Sequence, residues 1–303
     1  MTGYVGDVLS LETYDGKRLD FPSDDIRLLA YGDFGIPATN WITRRGYKQH
    51  GETEIDFLMQ TRQLDLTLWN APACDRQAYW DMRYALHEIL RPNRNGPMTL
   101  TLMQPGGEQR ALTVRADPGL TFPPDDNNNW AINAPISLLA FDPIWFDPDQ
   151  TDTDYAMTES TDTDLVFPIT FPIVFGVSGL IFTTGVITYQ GSWKTYPTIT
   201  LTGPYTSASI TNTATGVVIS MTVPISAGDT RIIDLTPGGQ RIIDGAGISR
   251  YNELGSGSNL IGFNIRPDPE VANGIQTIEV IMFNGVSGQS GARISYYDRY
   301  VAL

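Results

Sequence analysis

The densest group of potential metal ligands in this sequence is a run of acidic residues near its middle. Its first four members are Asp147, Asp149, Asp152 and Asp154. Carboxylate oxygens are the ligands that Ca²⁺ prefers, but this run lacks the central glycine and the twelfth-position glutamate of an EF-hand loop. Two interpretations stay open here: a calcium site, or an exposed acidic segment that binds no metal.

Nucleophilic and acid–base chemistry has few candidates. The chain contains two histidines, His50 and His87, and a single cysteine, Cys74. His87 is expected near the C-terminus of a helix, where its charge complements the helix dipole, and His50 is expected in a polar loop. Cys74 is expected at a helix start, where a thiolate is stabilised, but no base partner accompanies it. No zinc-protease, serine-hydrolase or phosphate-binding glycine motif occurs, so we predict no catalytic, cofactor-binding or metal-binding residue and no enzyme activity.

Carbohydrate chemistry remains as an alternative. Two carboxylates can hydrolyse a glycosidic bond when they lie about 5–10 Å apart, a separation that the sequence does not supply. Aromatic side chains in the C-terminal half could stack on sugars, although they serve equally well in cores and interfaces. These aromatic residues are Trp193, Tyr196, Tyr205 and Tyr251. A carbohydrate-binding module is therefore the alternative function.

Composition excludes several classes of protein. The chain has 303 residues, with 20 Lys and Arg against 34 Asp and Glu, which gives a formal net charge of −14. This charge disfavours non-specific nucleic-acid binding, which depends on cations that neutralise phosphates. One cysteine excludes a disulfide framework within the chain. The uncharged stretch Leu165–Phe182 approaches the length of a membrane span, but its prolines and glycines favour buried extended chain, so no membrane insertion is predicted.

The first half of the chain predicts a β-rich domain with one helix, over residues 1–148. Alternating Leu64, Leu66 and Leu68 indicate a half-buried strand. Apolar residues at spacings of three and four predict a helix over Ala73–Leu90. Further strands are predicted at Met98–Met103, Gln109–Arg115 and Ile136–Phe141.

An acidic linker is predicted over residues 149–164, because seven acids and no base occur between Asp147 and Asp164. Residues 165–303 predict a β-sandwich without a convincing helix, because short strand-like runs recur between turn signals. These runs are Thr198–Leu201, Val217–Val223, Arg231–Leu235, Gln240–Ile243, Ile261–Ile265 and Ile275–Phe283. The tetrapeptide Arg-Ile-Ile-Asp occurs at 231–234 and 241–244, on two strands of a predicted hairpin.

Short motifs follow one another in a characteristic order between about residues 30 and 265. In the first half they are Tyr31–Pro37, the Arg44–Gly51 loop, the helix with Arg91–Asn93, and the Asp-Pro-aromatic ending of Leu138–Trp145. In the second half they are Phe167–Pro172, Tyr196–Pro204, Ile210–Asn212, Thr215-Gly216, Ala227–Asp229 and Ile233-Asp234. This order resembles the distal tail protein family of bacteriophages with long, non-contractile tails. The chain departs from the family at Pro267–Gly274, where members often have a Pro-Gly-x-Asn turn.

The resemblance implies a fold, a function and partners. It implies a ring-forming first domain and a galectin-like β-sandwich as the second. It implies a structural virion protein at the distal end of the viral tail, a baseplate hub that forms a homohexamer and serves host attachment. The implied partners are further copies of the chain, the tail tube protein, the tail-tip hub protein, the tape measure protein and receptor-binding or fibre proteins, with DNA passing through the lumen. The family carries no catalytic residue that could be transferred to this chain.

Overall fold

A computed structural model describes residues 8–21, 26–32, 34–70, 76–91, 96–104, 106–117, 124–125, 128–159 and 180–303. The chain divides into two compact units. The first contains Met1–Pro148 and Tyr300–Leu303, and the second contains Asp149–Arg299. The sequence predicts residues 165–303 as the second domain, whereas in the structure the last four of these residues belong to the first unit.

The first unit is built on an antiparallel sheet. Its strands are β1 (Val8–Thr13), β2 (Arg18–Phe21), β3 (Ile26–Tyr31), β4 (Thr39–Arg44), β5 (Thr53–Met59), β6 (Arg62–Asn70), β7 (Met98–Met103), β8 (Gln109–Ala116), β9 (Pro124–Asp125), β10 (Asn128–Ala140) and β11 (Trp145–Phe146). The sheet runs in the order β2-β1-β7-β8-β10-β6-β3, whereas β4 and β5 form a separate two-stranded sheet. The predicted alternation on β6 is confirmed, because Leu64, Leu66 and Leu68 are all buried.

The predicted helix is present as α1, which the structure describes over Arg76–Leu90. Leu86, Ile89 and Leu90 from its last turns are buried in the same core as the leucines of β6. His87 lies in the last turn, as the sequence analysis expected. The predicted first residues of the helix, including Cys74, lie outside the described residues.

The second unit is a sandwich of two antiparallel sheets around one core. Its strands are β12 (Thr151–Ala156), β13 (Thr158–Glu159), β14 (Leu180–Thr188), β15 (Thr198–Thr202), β16 (Ser207–Asn212), β17 (Val217–Met221), β18 (Thr230–Asp234), β19 (Arg241–Asp244), β20 (Ile275–Phe283) and β21 (Gly291–Tyr296); β22 (Arg299–Tyr300) follows. The sheet orders are β12-β21-β15-β18-β19 and β13-β14-β20-β16-β17. Together with α1 in the first unit, this confirms the mainly β fold class.

The predicted acidic linker is wrong over residues 151–156, which form β12 and pair with β21 along its whole length. The physical reason is the alternation of the strand: Tyr155 is buried in the core, whereas Asp152 and Asp154, which precede it and share the opposite face, are exposed. The number of acidic residues in this segment indicates the exposed face of β12 and gives no sign of its buried face. Residues 160–164 of the linker, and 165–179 of the uncharged stretch, lie outside the described residues. Among the residues that are described, no helix is both long and apolar enough to cross a membrane.

The predicted strand Ile261–Ile265 is also wrong, although Phe263 and Ile265 are buried as core residues. The backbone of Ile265 forms an isolated bridge with Thr195, and side-chain amides hydrogen-bond the backbone of Gly262 and Asn264. The side chain of Asn212 donates to the Asn264 carbonyl at 3.0 Å, and the Asn259 side chain accepts from the Gly262 N–H at 2.8 Å. Apolar spacing alone cannot distinguish such a segment from a strand.

The repeated Arg-Ile-Ile-Asp tetrapeptides form the predicted hairpin, β18–β19. The antiparallel register places Arg231 opposite Asp244 and Asp234 opposite Arg241. Because the two copies run in opposite directions, each arginine faces an aspartate. Arg241 pairs with Asp234 at 3.2 Å, whereas the buried guanidinium of Arg231 binds Glu253 with two hydrogen bonds of 2.6 and 3.1 Å.

Gly185 on β14 leaves room for the ring of Tyr155, because a Cβ at this position would overlap that ring. We expect Gly185→Ala to destabilise the second unit by about 1–3 kcal/mol, the usual cost of overpacking a core. Urea unfolding of the full chain measures this change. The matched control is Gly239→Ala, where a Cβ meets nothing closer than 3.8 Å. Equal stability of the two variants would contradict the predicted overlap.

Asp244 gives the second unit a pH-dependent stability. The Ile248 N–H donates to its carboxylate, and so does the Arg250 side chain, which lowers the pKa of Asp244 below its usual value. A lowered pKa in the folded state stabilises the fold above the unfolded-state pKa of about 3.9, and this stabilisation is lost as the pH falls through the folded-state pKa. We therefore expect Asp244→Asn to flatten the loss of stability below about pH 4, measured as urea midpoints across pH. Parallel curves for variant and parent would contradict this.

Candidate functional site

The structure does not bring the acid–base candidates together. His50 is exposed in the β4–β5 turn, and His87 is exposed on α1. Within the described ranges, no group of three His, Cys, Asp or Glu residues could hold a metal ion. Neither histidine therefore belongs to a metal-binding group within the described residues.

Two carboxylates of the acidic run considered for calcium, Asp147 and Asp154, contact arginines. Arg293 donates two hydrogen bonds to Asp154, of 2.6 and 3.1 Å. This pairing lowers the pKa of Asp154. Asp147 lies 3.6 Å from Arg110, within the first unit. Carboxylates held by guanidinium groups act here as ion-pair partners.

The aromatic residues considered for sugar stacking do not form one exposed platform. Tyr205 is buried in the core of the second unit, and Tyr196 packs against that core. Burial raises the pKa of the Tyr205 hydroxyl. Tyr251 is exposed, and its hydroxyl donates to the Gln240 carbonyl at 2.6 Å. The structure thus assigns Tyr196 and Tyr205 to the core interpretation that the sequence left open.

A shallow groove of about 380 Å³ crosses β12, β21 and β15 in the second unit. In one row of cross-strand neighbours in this groove, Asp154 lies opposite Arg293, and Arg293 lies opposite Thr200. The next row contains Ala156, Gly291 and Thr202, so small residues leave the space that the groove occupies. The groove offers hydroxyl, carboxylate and guanidinium groups without an aromatic platform.

The hairpin β4–β5 carries the most exposed apolar surface of the first unit's strands. Trp41 lies opposite Phe57 in the register, with ring centroids 5.5 Å apart, and Ile55 lies two residues before Phe57, where the register of the two strands shifts. Trp41 is 55 % exposed and Ile55 is 60 % exposed. A two-stranded hairpin is marginally stable alone, and an exposed apolar face of this kind marks an interaction site. We call this face, Trp41, Ile55, Phe57 and Met59, the hairpin face.

The turn of the same hairpin is basic, in contrast to the acidic chain. It contains Arg44, Arg45 and Lys48, and none of the three forms an ion pair within the described residues. The Gln49 side chain shapes the turn by accepting from the Gly46 N–H at 2.9 Å and donating to Thr53 at 2.8 Å. Tyr47 projects from it with 93 % exposure. This turn can therefore add electrostatic attraction to an acidic partner.

A second exposed apolar patch lies on α1. Trp80 and Tyr84, one turn apart, have ring centroids 6.3 Å from each other, and the Arg83 guanidinium lies 5.0 Å from the Trp80 ring. Both aromatic residues are exposed. We call Trp80 and Tyr84 the helix patch. The first unit thus presents two chemically different apolar surfaces, as a head-to-tail contact between identical subunits requires.

Sequence reasoning missed the hairpin face, because it treated Arg44–Gly51 only as a loop. The signal was present: Ile55 and Phe57 alternate with Glu54 and Asp56 on one side of a glycine-containing turn, and Trp41 lies on its other side. Period-2 alternation of this kind predicts a strand with one apolar face. It does not predict that the face stays exposed.

Comparison with known proteins identifies solved structures that share this fold. No protein-family model and no curated protein sequence matches the chain. The Dit protein of phage SPP1, whose crystal structure is described as a paradigm of the hub adsorption apparatus in phages that infect Gram-positive bacteria, is 13 % identical with a TM-score of 0.63; the match covers 96 % of this chain and 98 % of that one. Two structures of the phage P2 baseplate in its activated conformation, with Ca and with Sr, match at 10 % and 9 % identity and TM-scores of 0.54 and 0.52. Each covers 95 % of this chain and 97 % of the matched chain.

These comparisons confirm, at the level of the fold, the resemblance indicated by the sequence motifs. Both units take part in the match, because nearly the whole of each chain is covered. The chain has the fold of the SPP1 Dit protein, a component of a phage adsorption apparatus.

Proposed function

From this Dit-like fold, we propose that the chain is a structural, non-enzymatic protein of a phage tail tip, which forms a closed homomeric ring of six copies at the distal end of the virion tail. The observation that carries the proposal is the match of the fold over 96 % of the chain to a hub protein of a phage adsorption apparatus. The exposed hairpin face and helix patch support it, because they give the first unit two different surfaces for self-association.

In this proposal the first unit builds the ring. The hairpin face of one copy packs on the helix patch of the next, so that each copy uses both surfaces once and the ring closes without free ends. Burying exposed side chains such as Trp41 and Ile55 supplies the association energy, because large aromatic and aliphatic side chains dominate interface energetics. The basic turn adds attraction toward acidic surface, which dominates a chain of net charge −14.

The second unit serves attachment in this proposal. Two antiparallel five-stranded sheets support its description as a galectin-like sandwich. Its partners are receptor-binding or fibre proteins, which serve host attachment, while the ring contacts the tail tube protein, the tail-tip hub protein and the tape measure protein. DNA passes through the lumen of the ring.

Immunogold electron microscopy tests the proposed location. Antibodies against the full chain should label virions that contain it at the distal end of the tail. Label on the capsid, along the tail shaft, or only in the unassembled fraction would contradict the proposal. A control antibody against the tail tube protein should label the shaft.

The alternative function, carbohydrate binding for host attachment, is favoured by one observation, the polar groove over β12, β21 and β15. Carboxylate, guanidinium and threonine hydroxyl groups can bind sugar hydroxyls, although the missing aromatic platform predicts weak binding. A glycan array with the full chain tests this. Binding that is lost in Arg293→Ala and kept in Arg241→Ala would support it; signal unchanged in Arg293→Ala would exclude this groove.

A further inference from the structure

The chain leaves the first unit and returns to it close to the same two arginines, Arg62 and Arg110. The chain leaves the first unit after Pro148 and returns to it at Tyr300. Strands β11 and β22, which lie just before the exit and at the return, pair with each other. The second unit is thus an insertion in the first, and the two ends of the insertion lie side by side.

Arg62, on β6, binds three separate chain segments through backbone carbonyls. Its Nε donates to the Pro143 carbonyl at 3.0 Å, one terminal nitrogen donates to the Gly35 carbonyl at 2.6 Å, and the other donates to the Val301 carbonyl at 2.9 Å. The residue is 3 % exposed. Pro143 lies just before the exit and Val301 just after the return, so one guanidinium holds both connections.

Arg110, on β8 of the same sheet, also contacts both connections, in this case through a carboxylate and an aromatic ring. Its guanidinium lies 3.9 Å from the centroid of the Tyr300 ring and 3.6 Å from the Asp147 carboxylate. Its side chain is only 12 % exposed, so these contacts are partly shielded from water. Asp147 lies just before the exit, and Tyr300 lies at the return.

The indole of Trp145 packs against the side chain of Arg62. Its indole is fully buried, lies 5.7 Å from the Arg62 guanidinium, and meets the ring of Phe34 edge to face at 5.5 Å. The Asp-Pro-aromatic segment that ends the first domain therefore packs against Arg62 with its tryptophan and binds it with its proline carbonyl.

We propose that Arg62 and Arg110 form a clamp that fastens the exit and the return of the second unit to the sheet of the first. The clamp makes residues 300–303 an integral part of the first unit rather than a terminal tail. Arginine suits this role because its planar guanidinium offers five donors in a fixed fork, which lysine lacks. The proposal concerns the single chain and holds whether or not a ring forms.

Hydrogen–deuterium exchange of the full chain tests the clamp. Arg62→Met keeps an apolar stem and removes all three hydrogen bonds, and deletion of residues 301–303 removes the returning carbonyl without touching a buried side chain. In both variants we expect exchange over residues 144–147 to become at least about tenfold faster, because local opening limits exchange there. Arg110→Met should speed exchange at 299–300. Arg62→Lys should behave as Arg62→Met does, because an ammonium group cannot span the three carbonyls.

The matched control is Arg115→Met, which alters an exposed arginine on β8 and should leave every segment unchanged. The strands of the second unit, such as β15 and β20, should keep their protection in all variants. If Arg62→Met unfolds the first unit, the deletion of residues 301–303 carries the test alone. Exchange over 144–147 within about twofold of the parent in that deletion, or a uniform loss of protection across the first unit, would overturn the proposal.

Discussion

Ile55→Asp should abolish ring assembly while both units stay folded. Ile55 is 60 % exposed on the hairpin face, so the change costs little in the isolated chain, whereas in the ring it buries a carboxylate in an apolar contact. Central apolar contacts in interfaces contribute about 2–4 kcal/mol, which corresponds to roughly 30- to 1000-fold in each subunit contact. We therefore expect the parent to sediment as a multimer and the variant as a monomer in analytical ultracentrifugation.

The matched control is Ile261→Asp, because Ile261 is 75 % exposed in the second unit and lies outside the proposed contact. It carries the same change of charge and should assemble as the parent does. Tyr84→Ser, on the helix patch, should weaken assembly as well, since each contact uses both surfaces. Assembly that survives Ile55→Asp and Tyr84→Ser alike would remove the proposed interface, even if the ring itself exists.

Glu253→Ala should cause the largest loss of stability in the second unit. The Glu253 carboxylate and the Arg231 guanidinium are 4 % and 9 % exposed in their side chains and share two hydrogen bonds. This hydrogen bonding raises the pKa of Arg231, which favours the charged form of the guanidinium. Removing the carboxylate leaves a buried charge without its partner, which costs about 3–5 kcal/mol. Urea unfolding of the full chain, followed through the second unit, measures the loss.

A double variant distinguishes the lost partner from a general packing defect. Arg231→Met with Glu253→Leu replaces the ion pair with apolar groups of similar size and should recover most of the stability, because two charges no longer need to leave water. Glu270→Ala is the exposed control: its carboxylate lies 3.8 Å from Arg266, and such exposed pairs contribute about 0–1 kcal/mol. A loss for Glu253→Ala no larger than for Glu270→Ala would contradict the account of the buried pair.

The sequence predicts the core strands well where side-chain alternation and burial coincide. On β6, Leu64, Leu66 and Leu68 alternate with polar residues, and the structure buries all three. The helix α1 is predicted for the same reason, since the spacing of its apolar residues matches its buried face. In these elements one periodic pattern specifies both the local structure and the side that packs.

The acidic segment and the hairpin show where this reasoning fails. In Thr151–Ala156 the exposed acids outnumber the one buried ring, Tyr155, so composition indicates a linker although the pairing with β21 makes a strand. In β4–β5, Trp41 and Ile55 stay exposed, because apolar spacing identifies a strand without specifying whether another element covers its apolar face. The clamp is hidden from sequence for a further reason: Arg62 and Val301 are 239 residues apart, and a contact to a backbone carbonyl leaves no residue-type signal at the acceptor.

We propose that this chain builds a closed ring through its first unit, and electron microscopy of the purified full chain, with class averages and a reconstruction, shows whether it does. We expect closed rings of six copies in which the hairpin face of each copy lies on the helix patch of its neighbour. Particles that remain single copies at every concentration, or rings joined through the second unit with the hairpin face left exposed, would contradict it.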